Sequence, residues 1–172
     1  MTAPPFTIAT ALALKLSSEG YKVGILDLDI YGPSVGLMLQ IHQKPEIHNH
    51  LMVPILKNSI KCMSLDFLVK ADDAIAWRGP MISKTVYQLF FCTFWGELDY
   101  LILDTPPGTG DVHLTLLEKY QIDDVIVVTT PHEASIKDTS KTINLYNKFS
   151  SNIIGVIENM SYFQDPVNKN IH

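Results

Sequence analysis

The residues with the most chemical potential form the run Ile102-Leu103-Asp104-Thr105-Pro106-Pro107-Gly108-Thr109-Gly110-Asp111. Apolar residues from Tyr100 to Leu103 stop at a carboxylate, and a Pro/Gly-rich loop carries the chain to a second one. A buried strand fixes the place of its last side chain, and glycines let backbone approach a phosphate. The pattern predicts a magnesium–phosphate site in a nucleotide-dependent switch, with Asp104 holding the metal through water. A turn or helix-capping aspartate after a strand has the same local chemistry. The Pro-Pro-Gly-Thr-Gly-Asp continuation makes a plain turn the weaker reading.

Asp27 and Asp29 lie two residues apart at the end of another apolar run. They point the same way if the strand persists through both. Like charges on one buried face need a cation, water or hydrogen bonds to compensate them. One reading is a switch carboxylate that orients an attacking water; the other is a solvated loop pair. Trp77-Arg78-Gly79-Pro80-Met81 precedes a helix. Arg78 there can meet a partner or a phosphate, or lie along the surface beside a core Trp77. Asn159 ends the last apolar run, where its amide can read an adenine edge or form a turn. His42, His48 and His50 fit no usual zinc spacing. Cys62 and Cys92 have no metal-ligand spacing either, and read as buried thiols of a cytosolic protein.

The elements that must position these groups alternate along the chain. Residues 7–18 read as a mostly buried helix stopped by Gly20. A short strand lies within residues 21–29, and Gly32-Pro33-Ser34 breaks it into a loop. Residues 42–58 look irregular, and residues 60–65 form a strand. Gly79-Pro80 starts a helix to about residue 94, since proline suits a first helical turn. Then come a strand at 100–104, a helix at 112–120, a strand at 124–129, a helix at 134–149 and a strand at 153–158. Val125-Ile126-Val127-Val128 and Ile153-Ile154-Gly155-Val156-Ile157 are unbroken apolar runs, as strands buried on both faces require. The fold class is therefore α/β, a doubly wound and mostly parallel sheet. Ligands bind beyond the carboxyl ends of such strands, so Asp27, Asp29, Asp104, Thr130 and Asn159 are expected to converge on one edge.

With 172 residues, 47% of them apolar, the chain suits a single domain over 1–172. A net charge of −5 gives no basic footprint for nucleic acid, and Arg78 is the only arginine among 13 basic residues. No apolar run reaches the ~18 residues of a membrane span, and the first residues lack a basic leader. The expectation is a soluble, cytoplasmic protein.

Four segments resemble the Mrp/ApbC family. They are Leu26-Asp27-Leu28-Asp29-Ile30-Tyr31-Gly32-Pro33-Ser34, Trp77-Arg78-Gly79-Pro80-Met81, the stretch from Trp95-Gly96-Glu97-Leu98-Asp99-Tyr100 through Asp111, and Glu158-Asn159-Met160-Ser161. The similarity runs from about Thr7 to Phe163. It implies a cytosolic P-loop ATPase related to MinD-type deviant Walker proteins, which carries iron–sulfur clusters to apoproteins and works as a homodimer when intact. It further implies ATP and Mg2+ as cofactors. Asp29 then resembles the switch carboxylate near the attacking water, with Asp27 beside it. Asp104 resembles the Walker B aspartate that binds the metal. Thr7, Gly32, Gly108 and Asn159 fall at nucleotide-binding positions, Gly108 in the second switch loop and Asn159 at the adenine.

The chain also departs from that family. The family helix matching residues 7–14 follows a strand and a Gly-Lys-Gly-Gly-Val-Gly-Lys-Ser loop. An ungapped frame puts Pro5 at the P-loop lysine and Phe6 at the metal-binding Ser/Thr, and no glycine precedes Gly20. Proline donates no N–H, so the glycine–lysine phosphate cradle is not written in this sequence, nor is the strand expected beside that of Asp104. Past Asn159 the family often reaches a cluster-binding Cys-x-x-Cys; here no cysteine follows Cys92. The departures predict a domain truncated at both ends, or a start placed too late, with impaired hydrolysis. Two other readings are a non-catalytic interaction protein that pairs with an intact homologue, and a decayed fragment without function.

Overall fold

The computed structural model describes residues 6–29, 32–68 and 79–162. They fall into two compact units, 6–115 and 116–162.

The first unit is built on a four-stranded sheet in the order β4-β5-β1-β6. Its strands are β4 (Ile55–Lys57), β5 (Ile60–Ser64), β1 (Val23–Asp27) and β6 (Tyr100–Asp104). β1 runs parallel to both β5 and β6, and β4 antiparallel to β5. Every residue of β1 is buried. The core gathers Val23, Ile25, Ile60 and Cys62 from the sheet with Ala13, Val35, Leu39 and Phe67 from the elements around it. Among the described residues β6 pairs only with β1.

Helix α1 (Phe6–Ser18) packs on this sheet. It ends where expected: Gly20 N–H donates to the Ser17 carbonyl and Tyr21 N–H to that of Leu16. Gly20 takes φ +94°, a conformation that suits glycine because it has no Cβ. The expected near-complete burial is not met. Of the side chains described in α1, only Thr10 and Ala13 are buried, because the helix covers the sheet with one face.

Residues 42–58, expected to be irregular, hold one antiparallel hairpin and the first strand of a second. β2 (Ile47–His48) pairs with β3 (Leu51–Met52), and β4 with β5. Their two-residue turns, Asn49-His50 and Asn58-Ser59, all have φ between +49° and +65°. That is the primed geometry matching the twist of the flanking strands. Without glycine at the second position the sequence signal is faint.

Helix α2 (Val35–Met38) is a single turn, and α3 (Gly79–Phe91) stops before residue 94. The Cys92 carbonyl accepts from Met52 N–H, and Phe94 N–H donates to the Met52 carbonyl, both at 2.7 Å. This bridge to β3 draws the chain off the helix. Helix α4 (Asp111–Lys119) spans the boundary between the units.

In the second unit β7 (Val125–Thr129) and β8 (Ile153–Glu158) form a two-stranded parallel sheet, joined through α5 (Glu133–Lys148). Both strands were expected to be buried on both faces. Instead β8 alternates between half-buried and exposed, and Ile154 and Val156 are each more than half exposed. Helix α5 packs against β7, and a sheet of two strands offers little more surface to cover.

Candidate functional site

The in-register pairing of β1 with β6 sets Asp27 directly beside Asp104, and the pairing with β5 sets Ser64 on its other side. Leu28 N–H donates to the Asp104 carbonyl at 2.8 Å, extending the ladder one step past β1. Three polar residues thus close three adjacent strands at the carboxyl edge of the sheet.

Asp27 is wholly buried. Its Oδ2 accepts from Ser34 N–H at 2.8 Å and Val35 N–H at 3.0 Å, and its Oδ1 from Asp29 N–H at 3.0 Å. The Ser34 side chain makes no capping bond to α2, so Asp27 satisfies the opening N–H groups of that turn instead. Burial raises the Asp27 pKa, against the pull of the three backbone donors. The condition for Asp27 and Asp29 to point alike, a strand running through both, is not met, because β1 ends at Asp27. Asp29 lies in the following loop, where its Oδ1 accepts from Gly32 N–H at 3.0 Å. A Cβ at Gly32 would stand 3.3 Å from Asp29 Oδ2, so Gly32 lets the loop close on that carboxylate.

Asp104 is half-buried. Burial, then the charges of Asp27 and Asp29, push its pKa up to about 7. None of the described ion pairs involves it. Hard carboxylate oxygens carrying uncompensated negative charge suit Mg2+, so Asp104 fits that ion. The loop behind it turns at Gly108 with φ +92°, and a Cβ at Gly108 or Gly110 would meet nothing within 4 Å. The space on the side where a Cβ would stand is therefore open at both glycines. Helix α1 turns back into β1 through Gly20, so its amino end lies toward the carboxyl edge of the sheet, where a helix dipole favours an anion. Thr7 sits in the first turn of α1; its side chain, like Trp77, Arg78 and residues 1–5, lies outside the described residues.

Asn159 and Thr130 belong to the second unit. Asn159 N–H donates to the Thr129 carbonyl at 2.7 Å. Its Oδ1 accepts from Met160 N–H at 3.0 Å, and Met160 has φ +56°. This is the turn chemistry available to an asparagine at a strand end. Thr130 N–H donates to Ser135 Oγ at 3.1 Å, and Thr129 Oγ1 lies 3.0 Å from both Ser135 Oγ and Thr139 Oγ1. Sequence reading missed this hydroxyl cluster, whose members are spread over strand and helix.

Of the two cysteines expected to be buried, Cys62 is wholly buried and Cys92 partly exposed. Burial pushes the Cys62 thiol up to about 12, far from the thiolate that metals bind. Among the described residues no group of three or more His, Cys, Asp or Glu could hold a metal ion.

A mostly parallel sheet closed by carboxylates at adjacent strand ends, with a glycine loop beyond one of them, defines an α/β protein of P-loop NTPase type. The chain belongs to the NUBPL iron-transfer P-loop NTPase family, whose model matches residues 6–172. It is 51% identical over 156 residues to the iron-sulfur cluster carrier protein of Rickettsia felis, covering 91% of this chain and 49% of that one. It is 45% identical over 155 residues to that of Escherichia coli, covering 89% and 42%. The chain thus spans about half the length of the curated relatives it matches. Among solved structures, a nucleotide-binding protein from Archaeoglobus fulgidus in complex with ADP is 31% identical, with a TM-score of 0.80 over 96% of this chain and 65% of that one. The septum site-determining protein MinD of Pyrococcus horikoshii, 18% identical, has a TM-score of 0.65 over 92% and 67% and shares the fold.

Proposed function

We propose that this chain supplies the metal- and switch-bearing part of an ATP-dependent iron–sulfur cluster carrier that delivers its cargo to apoproteins. The observation that carries this reading is the in-register juxtaposition of Asp27 and Asp104 in a chain of the iron-transfer family. When bound, Mg2+ would supply charge neutralisation at the phosphates. Asp104 is the carboxylate that would hold it. Asp27 holds the β1–α2 junction through its backbone donors and so places Asp29, which would orient the attacking water. The loop at Gly108 and Gly110, which carries no side chain there, would approach the phosphate oxygens, and Asn159 would meet the base.

The sequence contains no Gly-x-x-x-x-Gly-Lys-[Ser/Thr] cradle, and such a loop supplies most phosphate contacts in this class. The 172-residue chain by itself should therefore bind Mg-ATP weakly and turn it over slowly. Isothermal titration with Mg-ATP, beside a phosphate-release assay, tests both statements. Weak, metal-dependent binding that Asp104→Asn abolishes is the expected result. Binding indifferent to Mg2+ or to Asp104→Asn removes Asp104 from the metal site, and micromolar affinity with steady turnover shows that the cradle is supplied some other way.

A further inference from the structure

Helix α4 begins directly after the glycine loop and carries a histidine that the reading above does not use. His113 is only 2% exposed, and its Nε2 lies 2.8 Å from the Pro106 carbonyl oxygen. A carbonyl only accepts, so the ring must donate from Nε2. Burial lowers the His113 pKa, which favours the neutral ring, while the bond to Pro106 opposes that shift.

The two ends of this contact differ in rigidity. His113 stands on a helix whose neighbouring Val112 and Thr115 are both buried. Ser83 and Thr115 hydroxyls meet at 2.8 Å, which ties α4 to α3. Pro106, in contrast, lies in an irregular segment between Asp104 and the positive-φ turn at Gly108. Pro106 and Pro107 offer no N–H of their own, so this part of the loop cannot anchor itself through backbone donors. A side chain held by a packed helix can place a neighbouring group within a narrow range, which a free loop cannot.

We propose that His113 is the positioning residue of the 105–110 loop: its Nε2–H, donated to the Pro106 carbonyl, latches the loop onto α4 and holds it beside Asp104. The latch sets the geometry in which the loop meets metal and phosphate. Only that consequence rests on the nucleotide-site reading; the latch itself is present without ligand.

The test uses the full chain in three steps. First, imidazole 15N shifts of the unmodified protein report the tautomer. The Nε2–H form is expected, and an Nδ1–H ring overturns the proposal without any variant. Second, amide hydrogen exchange without nucleotide compares His113→Leu with His113→Gln. Leucine fills the space without a donor, and glutamine restores one. Loss of one buried hydrogen bond should speed exchange at Thr105, Gly108, Thr109 and Gly110 about tenfold in the leucine variant, with β1 and β5 amides unchanged and glutamine recovering most of the protection. Equal speeding across β1 and β5, or no change at the loop, overturns the latch. Third, Mn2+ is titrated as a paramagnetic stand-in for Mg2+. His113→Leu should weaken its binding several-fold, and Asp104→Asn should abolish it. If Mn2+ does not bind the unmodified chain, the metal reading of Asp104 fails, while tautomer and exchange still decide the latch.

Discussion

Strands β1 and β8 are close to the same peptide in two different surroundings. β1 reads Val-Gly-Ile-Leu-Asp and β8 Ile-Ile-Gly-Val-Ile-Glu. Each is an apolar run with one glycine and a terminal acid. β1 has a parallel neighbour on each side and every residue buried. β8 pairs only with β7 among the described strands, and its side chains alternate between half-buried and exposed. A Cβ at Gly24 in β1 would come within 2.8 Å of Leu98 Cδ1 and 2.9 Å of Leu101 Cδ1, whereas one at Gly155 in β8 would touch nothing within 4 Å. Asp27 ends β1 buried and locked to three backbone donors; Glu158 ends β8 exposed. An apolar run therefore specifies a strand, and the layers around it decide whether its last residue becomes a fixed functional group.

The sharpest way to break this comparison is to truncate the same residue type in both strands. Ile25 is wholly buried and Ile154 is 56% exposed. Ile25→Ala should cost about 2–5 kcal/mol, the range for a large core residue replaced by alanine. Ile154→Ala should stay near ~0.5 kcal/mol, as for surface changes. Urea unfolding followed by circular dichroism measures both. Equal losses would mean that β8 is covered in solution.

The next effect belongs to the acid beside β1. Burial and the neighbouring carboxylates raise the Asp104 pKa to about 7 in the folded chain, from 3.8 for a free aspartate. Between those values the folded state holds a proton that the unfolded state has released. Stability from this group is therefore greatest at low pH and is lost as pH rises toward about 7. From pH 5 to pH 8 the loss comes to about 2–3 kcal/mol, and the raised Asp27 pKa acts in the same direction. Urea midpoints of the unmodified chain should fall across that range, those of Asp104→Asn should fall less, and Mg2+ should offset the fall only when Asp104 is present. A flat profile in the unmodified chain would show that Asp104 is solvated.

Much of the fold was legible in the sequence because strand and helix periods are local properties. The run ending at Asp104 and the one ending at Glu158 match strands β6 and β8 residue for residue, and the α/β class follows from the alternation of elements. What was not legible depends on neighbours distant in sequence. The uncovered face of β8 could not be read from an apolar run that resembles β1. The hairpins at 47–64 turn on Asn-His and Asn-Ser pairs, which carry half of the usual signal. At the site, the juxtaposition of Asp27 and Asp104 followed from strand ends. The reach of Asp27 to Ser34 and Val35, and of His113 to Pro106, depends on how loops fold back.

A smaller effect compares the two glycines. Gly24→Ala must push apart the Leu98 and Leu101 side chains that its Cβ would meet. Overpacking of this kind costs about 1–3 kcal/mol. Gly155→Ala meets open space and removes the entropic weakness of a glycine within a strand, so it should be neutral or stabilising by up to ~0.5 kcal/mol. Thermal unfolding of the two variants decides between them. A destabilising Gly155→Ala would place something against β8 that the described residues do not.

The smallest effect lies just past the end of β8. Asn159 Oδ1 accepts from Met160 N–H, whose residue is held at φ +56°. Asn159→Ala removes that acceptor and should cost about 0.5–1 kcal/mol, the worth of one half-exposed hydrogen bond. Asn159→Asp keeps the acceptor and should cost less. The adenine reading makes a different demand, because a paired donor and acceptor are needed to read a base. Asn159→Asp would keep the turn and lose the amide donor. If ATP binding falls in Asn159→Asp while urea stability holds, the residue serves both the turn and the base. If binding and stability fall together in Asn159→Ala and neither changes in Asn159→Asp, its work ends at the turn.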